Sequence, residues 1–371
     1  LIRSLIEEDV DVVFGCPGNA VLGIFDALFD IAGNIIKVIF TRSEVGAILA
    51  ANGYARASGK PGVVIVSSGP SASNLVTGIA DANTDSIPLV VFTAQVPTKL
   101  IGNETFQEVD IVGITRPITK HNFLVTKISE LSNIIKSAFH IATTGRPGPV
   151  LIDLPRDVML EKFTFEYPET VNLRGYNPVH SAHAGQIKRA ADIINNSSKP
   201  VIIAGGGVTA GNASGELREL ARKINSPVAT TLMGQGVYPE DDPLSLGMLG
   251  IHGTWYANIA TSESDCIVII GSRLSERTTG EASKFAPNAK KIHIDIDPAS
   301  ISKNIKVDVP IVGDVKDAIR KLIPLVKNLN TEEWLRQIKI WKEKHPLRYE
   351  QGKEIRVQYV IEKLRELTGG N

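Results

Sequence analysis

A single carboxylate, Glu44, stands among small and apolar residues in the stretch TRSEVGAILAANGYAR (41–56). The stretch follows a short apolar run, KVIF, that is typical of a β-strand, and its composition predicts a buried helix whose first turn contains Glu44. A carboxylate at that position can stabilise the helix dipole. In an apolar site, desolvation raises its proton affinity, so that it can instead exchange a proton with a ligand. The residues alone leave both interpretations open.

A second group of functional side chains lies in TFQEVDIVGITRPITKHN (105–122), which we expect to surround a loop. Its polar and aromatic members are Phe106, Gln107, Arg116, Lys120 and His121. Such density on a loop favours a functional role over packing. No set of residues in the chain matches a Ser-His-Asp triad or a cage of metal ligands, so we predict no metal ligand in this sequence.

Four glycine- or arginine-containing turns follow predicted strands. CPGN (16–19) and SSGPSASN (67–74) allow a backbone to approach a ligand closely, although ordinary strand-to-helix turns look the same. VIIAGGGVTA fits the dinucleotide pattern G-x-G-x-x-A only weakly, because no acidic residue closes the next strand. GSRLSERTTG (271–280) offers two guanidiniums to a pyrophosphate or to solvent. HIDIDP (293–298) offers two aspartates to a ribose, or is a plain half-buried strand.

These residues need a scaffold, and the first 155 residues alternate apolar runs with helical patterns. The predicted strands are DVVFG, KVIF, GVVIVSS, PLVVFTA, HNFLV and PVLIDLP. A second series contains PVIIAGGG, PVATTL, CIVIIGS and KIHIDID. Strands that are apolar throughout and alternate with helices predict an α/β fold: two consecutive parallel-sheet domains with helices on both faces. Ligands of such sheets bind at the carboxyl ends of the strands.

The domain boundaries that we expect are 1–155, a polar linker at 156–180, 181–325, and a connector at 326–371. Lys+Arg and Asp+Glu are both 40, which argues against a nucleic-acid partner because polyanion binding demands a basic footprint. The longest apolar runs are too short for a bilayer. The two cysteines, Cys16 and Cys266, lie far apart beside apolar runs, which predicts free thiols in a reducing cytoplasm.

The chain resembles the catalytic subunit of acetolactate synthase (acetohydroxyacid synthase), a thiamine diphosphate enzyme, over nearly its whole length. The matching stretches include VFGCPGNAV, EVGAILAANGYARASGKPGV, IGNETFQEVDIVG, ITKHN, GRPGPVLIDLP and GMLGIHGTWYANIA. The resemblance implies a pyrimidine-binding domain followed by a Rossmann-like central domain. It implies decarboxylation of pyruvate on thiamine diphosphate and transfer of the two-carbon unit to a second 2-keto acid, in branched-chain amino acid biosynthesis.

The resemblance also assigns roles to residues. Glu44 matches the glutamate that hydrogen-bonds N1′ of the cofactor's aminopyrimidine. Phe106 and Gln107 match active-site positions, and Lys120 matches a cation near the substrate entrance. The turns around the pyrimidine contribute Pro17, Gly18, Pro70 and Asn74. The segments that contact FAD, a structural cofactor in this family, contribute Gly206, Gly207, Leu232, Met233, His252, Arg273, Arg277 and Asp295.

The sequence departs from the family pattern within these turns. CPGN stands where a second glycine is usual, and SGPSASN where GPGATN is usual. Ser43 and Val45 replace the His and Gln that usually flank the glutamate. GSRLSERTTG lacks an acidic residue that is usual at its centre, where Glu276 alone is acidic between the arginines. These changes bear on the fine geometry of the cofactor turns and leave Glu44 in place.

The family's third domain, whose GDG motif and Asn bind Mg²⁺ and the diphosphate, is not recognisable here, since GDV at 313–315 is not that motif. We therefore expect Mg²⁺ only through a further domain, and expect this chain by itself to be inactive. Self-assembly into a homodimer or homotetramer and a regulatory subunit are further implications. Two alternatives stay open: another thiamine diphosphate-dependent decarboxylase or carboligase, and a non-catalytic FAD- or nucleotide-binding module.

Overall fold

The computed structural model describes residues 1–369 and divides into two compact units. The N-terminal unit is Leu1–Pro178, and the central unit begins at Val179. No helix within residues 1–369 combines the length and the apolarity needed to cross a membrane. Both units contain one six-stranded sheet in which every neighbouring pair of strands is parallel.

The sheet of the N-terminal unit consists of the six strands that the sequence predicts. They are β1 (Val12–Cys16), β2 (Lys37–Phe40), β3 (Gly62–Val66), β4 (Leu89–Gln95), β5 (His121–Leu124) and β6 (Pro149–Pro155). Their order is β2-β1-β3-β4-β6-β5. The chain passes from β1 to β2 on one side and then to β3 on the other, so the strand order reverses between β1 and β3. Such a reversal opens a crevice at the carboxyl ends of the two strands.

Helices cover both faces of this sheet: α1 (Ile2–Glu7), α2 (Leu22–Ala27), α3 (Glu44–Ser58), α4 (Pro70–Ser73), α5 (Val76–Asp85), α6 (Ile111–Thr115), α7 (Leu131–Thr143) and α8 (Arg156–Leu160). Alternate residues of β3 enter opposite cores: Val63 and Ile65 pack with α1, α2 and α7, whereas Val64 and Val66 pack with α3 and α5. Because both faces of β3 are buried, this strand is apolar throughout.

The central unit contains six further strands: β7 (Pro200–Ala204), β8 (Val228–Thr230), β9 (Ser245–Met248), β10 (Cys266–Ile270), β11 (Lys290–Asp295) and β12 (Val309–Val312). Their order, β12-β11-β10-β7-β8-β9, is that of the Rossmann fold. The strand order reverses between β7 and β10. The sequence predicted four of these strands and missed β9 and β12, which are the two edge strands.

The helices of the central unit are α9 (Ala184–Asn195), α10 (Gly206–Ala210), α11 (Ser214–Lys223), α12 (Trp255–Glu263), α13 (Glu276–Thr279), α14 (Val315–Leu322), α15 (Glu332–Lys344) and α16 (Val357–Thr368). One core contains α9, α11 and α14, and the core on the other face contains α12 and α15. The predicted α/β fold with two parallel-sheet domains and helices on both faces is therefore confirmed.

Parts of the linker predicted at 156–180 and of the connector predicted at 326–371 pack on the units that precede them. After α8, the segment up to Pro178 is bound to the N-terminal unit by two tyrosines: Tyr167 Oη donates to Glu8 Oε1 at 2.7 Å, and Tyr176 Oη donates to the Thr144 carbonyl at 2.8 Å. Within the connector, α15 buries Trp334 in the central unit. Residues 370 and 371 of the connector lie outside the described residues.

Candidate functional site

Glu44 is the first residue of α3, and its helix is capped by the preceding residue. Ser43 has an extended backbone, and its Oγ accepts a hydrogen bond from the Gly46 N–H at 3.1 Å. This N-cap fixes where the helix begins. Since α3 follows β2, Glu44 lies at the carboxyl edge of the sheet, beside the reversal between β1 and β3.

The Glu44 carboxylate is half-buried and carries one side-chain hydrogen bond on each oxygen. Ser71 Oγ donates to Oε1 at 2.7 Å, and Asn74 Nδ2 donates to Oε2 at 3.0 Å. The Cys16 thiol is a third hydrogen-bonding partner. Burial acts to raise the pKa of Glu44, but the hydrogen bonds from Asn74, Ser71, the backbone and Cys16 outweigh it and lower the pKa.

The lowered pKa corrects the expectation that desolvation raises the proton affinity of Glu44. Burial of this carboxylate is incomplete, and donors that favour the charged form surround it. The Cys16 thiol shows the reverse effect: burial, and then the charge of Glu44, raise its pKa. Cys16 is therefore the protonated donor and Glu44 the ionised acceptor of their hydrogen bond.

The turns after β1 and β3 meet beside Glu44. A Cβ atom added to Gly18 would lie 2.6 Å from the Ser67 Cβ, so only glycine allows the CPGN turn to approach the SSGPSASN turn this closely. Pro17 is exposed and follows Cys16 directly, and Pro70 is exposed at the start of α4. The four predicted pyrimidine-turn residues, Pro17, Gly18, Pro70 and Asn74, therefore lie around Glu44.

The loop that contains Phe106 and Gln107 packs on the same turn. Gly69 has a φ of +64°, and a Cβ atom there would lie 2.7 Å from the Gln107 carbonyl oxygen. Gln107 itself has a φ of +62°, an uncommon conformation for a residue with a side chain, and such strain is concentrated at functional sites. Its neighbour Phe106 is 89% exposed. An exposed aromatic side chain beside a strained loop residue is available to a ligand.

A buried polar cluster supports this loop from beneath. Gln95 Nε2 donates both to Asp153 Oδ2 at 3.0 Å and to the Val109 carbonyl at 2.8 Å, so one amide joins the sheet to the loop. Thr93 Oγ1 donates to Asp153 Oδ1 at 2.6 Å. Burial raises the pKa of Asp153 to about 7, although the hydrogen bonds from Thr93 and Gln95 act to lower it; the charge of Asp110 raises it further.

Lys120 lies elsewhere in the N-terminal unit. It directly precedes β5, so it belongs to the amino edge of the sheet, opposite the Glu44 edge. Its ammonium group donates to the carbonyls of Ile141 and Thr144 at the end of α7, the latter at 2.8 Å, and contacts Tyr176 Oη at 3.1 Å. The structure therefore does not bring Lys120 to the predicted site. Three exposed basic residues follow strands at the carboxyl edge instead: Arg42, Lys99 and Arg156.

Ser71 and Cys16 are site residues that the sequence analysis missed. Both belong to turns that it singled out, CPGN and SSGPSASN, so their location was available from the pattern. Their contact with Glu44 was not, because it joins residues that are 27 and 28 positions apart through particular rotamers.

In the central unit, glycines line the crevice where the strand order reverses. Gly205 and Gly207 follow β7 and pack directly on Gly271, which follows β10; a Cβ atom on Gly207 would lie 2.6 Å from the Gly271 Cα. The Gly207 N–H donates to the Gly271 carbonyl at 3.0 Å. Gly206 packs in turn on Met233. The glycine-rich turn is therefore required for close approach of backbones.

The other residues predicted to contact FAD follow four strands at the same carboxyl edge. Leu232 and Met233 follow β8 and are 69% and 43% exposed. The segments of His252 and Arg277 are joined, because the Ile251 N–H donates to the Arg277 carbonyl at 2.9 Å. Asp295 ends β11 and is buried, with one carboxylate oxygen accepting from the Asp297 N–H at 2.9 Å. The eight predicted residues, Gly206, Gly207, Leu232, Met233, His252, Arg273, Arg277 and Asp295, lie at the carboxyl ends of β7, β8, β9, β10 and β11.

Cys16 and Cys266 are both free thiols; Cys266 is buried within β10, and Cys16 is half-buried. Among residues 1–369, no three His, Cys, Asp or Glu side chains are grouped as a metal site requires.

Two family models match the chain, one for each unit. Residues 1–114 match the N-terminal TPP binding domain of thiamine pyrophosphate enzymes, and residues 187–322 match the central domain of the same enzymes. The two matched domains occur in the same order along the chain as the two units of the fold.

Curated relatives are similar over the whole chain. The acetolactate synthase large subunit of Buchnera aphidicola subsp. Schizaphis graminum is 47% identical over 377 residues, which cover 100% of this chain and 66% of the relative. The probable acetolactate synthase large subunit of Methanocaldococcus jannaschii is 49% identical over 99% of this chain and 63% of its own length. Isozyme 3 of Escherichia coli is 44% identical over 100% and 66%. The chain spans slightly less than two thirds of these relatives.

Proposed function

Because the chain belongs to the thiamine pyrophosphate enzyme family and contains its N-terminal and central domains, we propose that it is part of an acetolactate synthase-type enzyme. The whole protein then decarboxylates pyruvate and joins the two-carbon unit to a second 2-keto acid, in branched-chain amino acid biosynthesis. The observation that carries this proposal is the ionised Glu44 carboxylate, held by Ser71 and Asn74 at the reversal between β1 and β3.

The residues around Glu44 fit thiamine diphosphate. An oriented carboxylate with a lowered pKa is a suitable acceptor for a protonated ring nitrogen such as N1′ of the aminopyrimidine. When bound, thiamine diphosphate supplies the carbon nucleophile and accepts the electrons that are released with carbon dioxide. Glu44 binds and orients the pyrimidine and can hold its proton. The glycine and proline turns at Pro17, Gly18 and Pro70 lie beside this carboxylate.

The loop above Gly69 has the second role in this proposal. Gln107, held in its strained conformation against Gly69, presents an amide to the substrate, and the exposed Phe106 supplies an apolar wall. The Gln95 amide joins the loop to the sheet, because it donates to the Val109 carbonyl and to Asp153. Lys120 retains its proposed substrate role from the resemblance alone, since its contacts are with the end of α7.

FAD fits the central unit. Its crevice combines backbone that only glycine allows, exposed apolar side chains of Leu232 and Met233, and the exposed residues His252, Arg273 and Arg277. Apolar surface suits a flavin ring, and guanidiniums suit its pyrophosphate. We propose that these residues and Asp295 hold FAD, which in this proposal serves the structure of the protein.

Further parts of the proposal come from the resemblance. They are a diphosphate-binding domain that holds Mg²⁺, assembly into a homodimer or homotetramer, a possible regulatory subunit, and a location in the cytoplasm. A regulatory subunit is consistent with relatives that are named large subunits.

The test is Glu44→Gln in the full-length protein, with acetolactate formation from pyruvate as the readout. We expect a loss of about 10²- to 10⁴-fold, the usual contribution of a positioned acid–base group, with unchanged flavin absorbance bands. Glu332→Gln is the matched control, because it removes an exposed carboxylate from the first turn of α15. Substantially unchanged activity in Glu44→Gln would sink the assigned role.

A substrate panel tests the reaction class. With pyruvate as the only substrate, an acetolactate synthase-type enzyme releases acetolactate, whereas a simple decarboxylase releases acetaldehyde. Acetaldehyde as the main product would replace this proposal by the related decarboxylase.

A further inference from the structure

Two of the side-chain donors to Glu44 come from one short turn. Ser71 lies within α4, and Asn74 is the residue that ends it. Ser71 Oγ reaches Oε1 of Glu44 at 2.7 Å, and Asn74 Nδ2 reaches Oε2 at 3.0 Å. The resemblance assigns a cofactor role to Asn74 but none to Ser71, which stands where the family pattern usually has glycine.

A donor on each oxygen has a specific physical effect. The last torsion of a glutamate side chain is broad, so a single hydrogen bond leaves the carboxylate free to rotate. Bonds to both oxygens fix the plane of the group as well as its position. They also favour the charged form, because each donor stabilises the carboxylate more than the neutral acid.

The surroundings of Ser71 are rigid enough to act in this way. Gly69, two residues earlier, is locked against the backbone of Gln107, and Ala72 is buried in the core beneath α3 and α5. Ser71 therefore presents its hydroxyl from a fixed turn. The group that faces Glu44 from β1 and can itself titrate is the Cys16 thiol; the donors on the α4 side, Ser71 and Asn74, are neutral.

We propose that Ser71 is a positioning residue for the reaction, which fixes the orientation of the Glu44 carboxylate and keeps that carboxylate ionised. This inference rests on the proposed function for its catalytic meaning, since Glu44 acts on the pyrimidine there. The hydrogen bond itself belongs to the chain without any cofactor.

The chain contains a matched control two residues away. Ser73 has the same chemistry and lies in the same turn, but its Oγ donates to the Pro70 carbonyl at 3.0 Å. Its hydroxyl is therefore hydrogen-bonded within its own helix. Ser71→Ala and Ser73→Ala each remove one hydroxyl from α4, and only the first removes a donor from Glu44.

The first experiment follows the titration of Glu44 in protein labelled with ¹³C at the glutamate carboxyl carbon. The resonance is assigned by its loss in Glu44→Gln. We expect its midpoint to rise in Ser71→Ala, to stay in place in Ser73→Ala, and to return towards the wild-type value in Ser71→Thr, which keeps a hydroxyl. Ser71→Gly replaces the alanine variant if circular dichroism shows that the latter does not fold.

The second experiment measures kcat/KM against pH in the full-length protein. The acidic limb should move to higher pH in Ser71→Ala and not in Ser73→Ala. A wild-type midpoint in Ser71→Ala, or an equal rise in both variants, overturns the role of Ser71. If the midpoint rises in Ser71→Ala but the wild-type full-length protein forms no acetolactate, the proposed function fails while the positioning of Glu44 by Ser71 stands.

Discussion

The two sheets reverse their strand order in the same way, but they present different chemistry at the reversal. In the N-terminal unit, the carboxyl ends of β1 and β3 surround one ionised carboxylate and its side-chain donors. In the central unit, the carboxyl ends of β7 and β10 meet through glycine backbone, at Gly205, Gly207 and Gly271. One crevice can bind and hold a proton, and the other can bring backbone against a ligand.

This difference shows that the sheet topology fixes where each crevice lies, whereas the turns after the strands determine its chemistry. Both crevices follow from parallel strands and a reversal of order. A few residues after each strand then select between a carboxylate held by hydrogen bonds and closely packed glycine backbone. Substitutions in the turns should therefore have different effects in the two crevices: on the titration of Glu44 in the N-terminal unit, and on stability in the central unit.

The largest effect should come from adding a methyl group to the central crevice. Gly271 has a φ of +58°, and its added Cβ would lie 2.6 Å from the Gly207 Cα. We expect Gly271→Ala to lower the free energy of unfolding by about 2–5 kcal/mol, because a left-handed conformation costs roughly 1–2 kcal/mol and overpacking adds roughly 1–3 kcal/mol. Denaturant unfolding monitored by tryptophan fluorescence measures it.

Gly236→Ala is the control for Gly271→Ala. Gly236 also has a positive φ, +86°, but nothing lies within 4 Å of its added Cβ, so only the conformational cost of about 1–2 kcal/mol remains. All three tryptophans, Trp255, Trp334 and Trp341, belong to the central unit, so their fluorescence reports on that unit. Equal losses in the two variants would contradict the role of backbone contact in this crevice.

The next effect concerns pH and the N-terminal unit. Burial raises the pKa of Asp153 to about 7, whereas an unfolded aspartate has a pKa of about 3.9. The native state therefore keeps a proton that the unfolded chain has released, and this contribution to stability is complete below pH 4 and lost as pH rises through about 7. At about 1.4 kcal/mol per pKa unit, the loss amounts to about 2–4 kcal/mol.

Asp153→Asn should remove this pH dependence while keeping both hydrogen bonds. Its amide can donate to Thr93 Oγ1, and its carbonyl can accept from Gln95. The measurement is hydrogen exchange of β4 and β6 peptides in both proteins between pH 4 and 7. Carboxyls with lowered pKa values, such as Glu44, have the opposite pH dependence, but they are common to both proteins and cancel in the difference. Identical pH dependence in the two proteins would contradict the prediction.

A smaller effect tests the two edges of the N-terminal sheet. Lys120→Met removes a donor from the carbonyls at the end of α7, and we expect a loss of about 1–3 kcal/mol in the free energy of unfolding. Arg156→Met is the counterpart at the carboxyl edge; its side chain is exposed, so stability should change by less than about 0.5 kcal/mol.

The KM for pyruvate in the full-length protein separates the two residues further. A cation that serves the substrate should belong to the edge of Glu44, so we expect the KM to respond to Arg156→Met more than to Lys120→Met. A changed KM with unchanged stability in Lys120→Met would support the role that the resemblance assigns to Lys120.

Lys120 illustrates what the sequence could establish. The run HNFLV predicted β5 correctly, and Lys120 precedes that run, so its place at the amino edge followed from the same strand rule that placed Glu44 at the carboxyl edge. The resemblance instead assigned Lys120 to the substrate entrance, and that role stays a prediction. By contrast, the turns after β1 and β3 were placed correctly, because the carboxyl ends of parallel strands share one edge.

Other features of the fold and the site could not be predicted from the sequence. The missed strands β9 and β12 are edge strands of four residues each that are only partly buried, and SLGM contains a serine and a glycine. Pro310 in β12 weakened the strand signal further, although an edge strand tolerates proline. The hydrogen bond from Ser71 to Glu44 and the Gln95 amide between sheet and loop depend on rotamers, which residue patterns do not encode.

The smallest effect compares helix caps in the two units. Ser43 caps α3 and Asp314 caps α14, accepting from Gly46 N–H at 3.1 Å and Asp317 N–H at 2.9 Å. Replacing either residue by alanine should cost about 1 kcal/mol in the free energy of unfolding of its own unit. Only Ser43→Ala should also change the titration of Glu44, because Glu44 is the first residue of the helix that Ser43 begins.

The control for Ser43→Ala is Ser43→Asn, which keeps a capping oxygen and should restore both stability and titration. Urea unfolding of each unit and the ¹³C titration of Glu44 measure the two effects separately. A change in stability without a change in titration would mean that Ser71 and Asn74 hold Glu44 independently of the start of α3. A change in both would mean that the N-cap, as well as the turn after β3, sets the charge of the carboxylate on which the proposed chemistry depends.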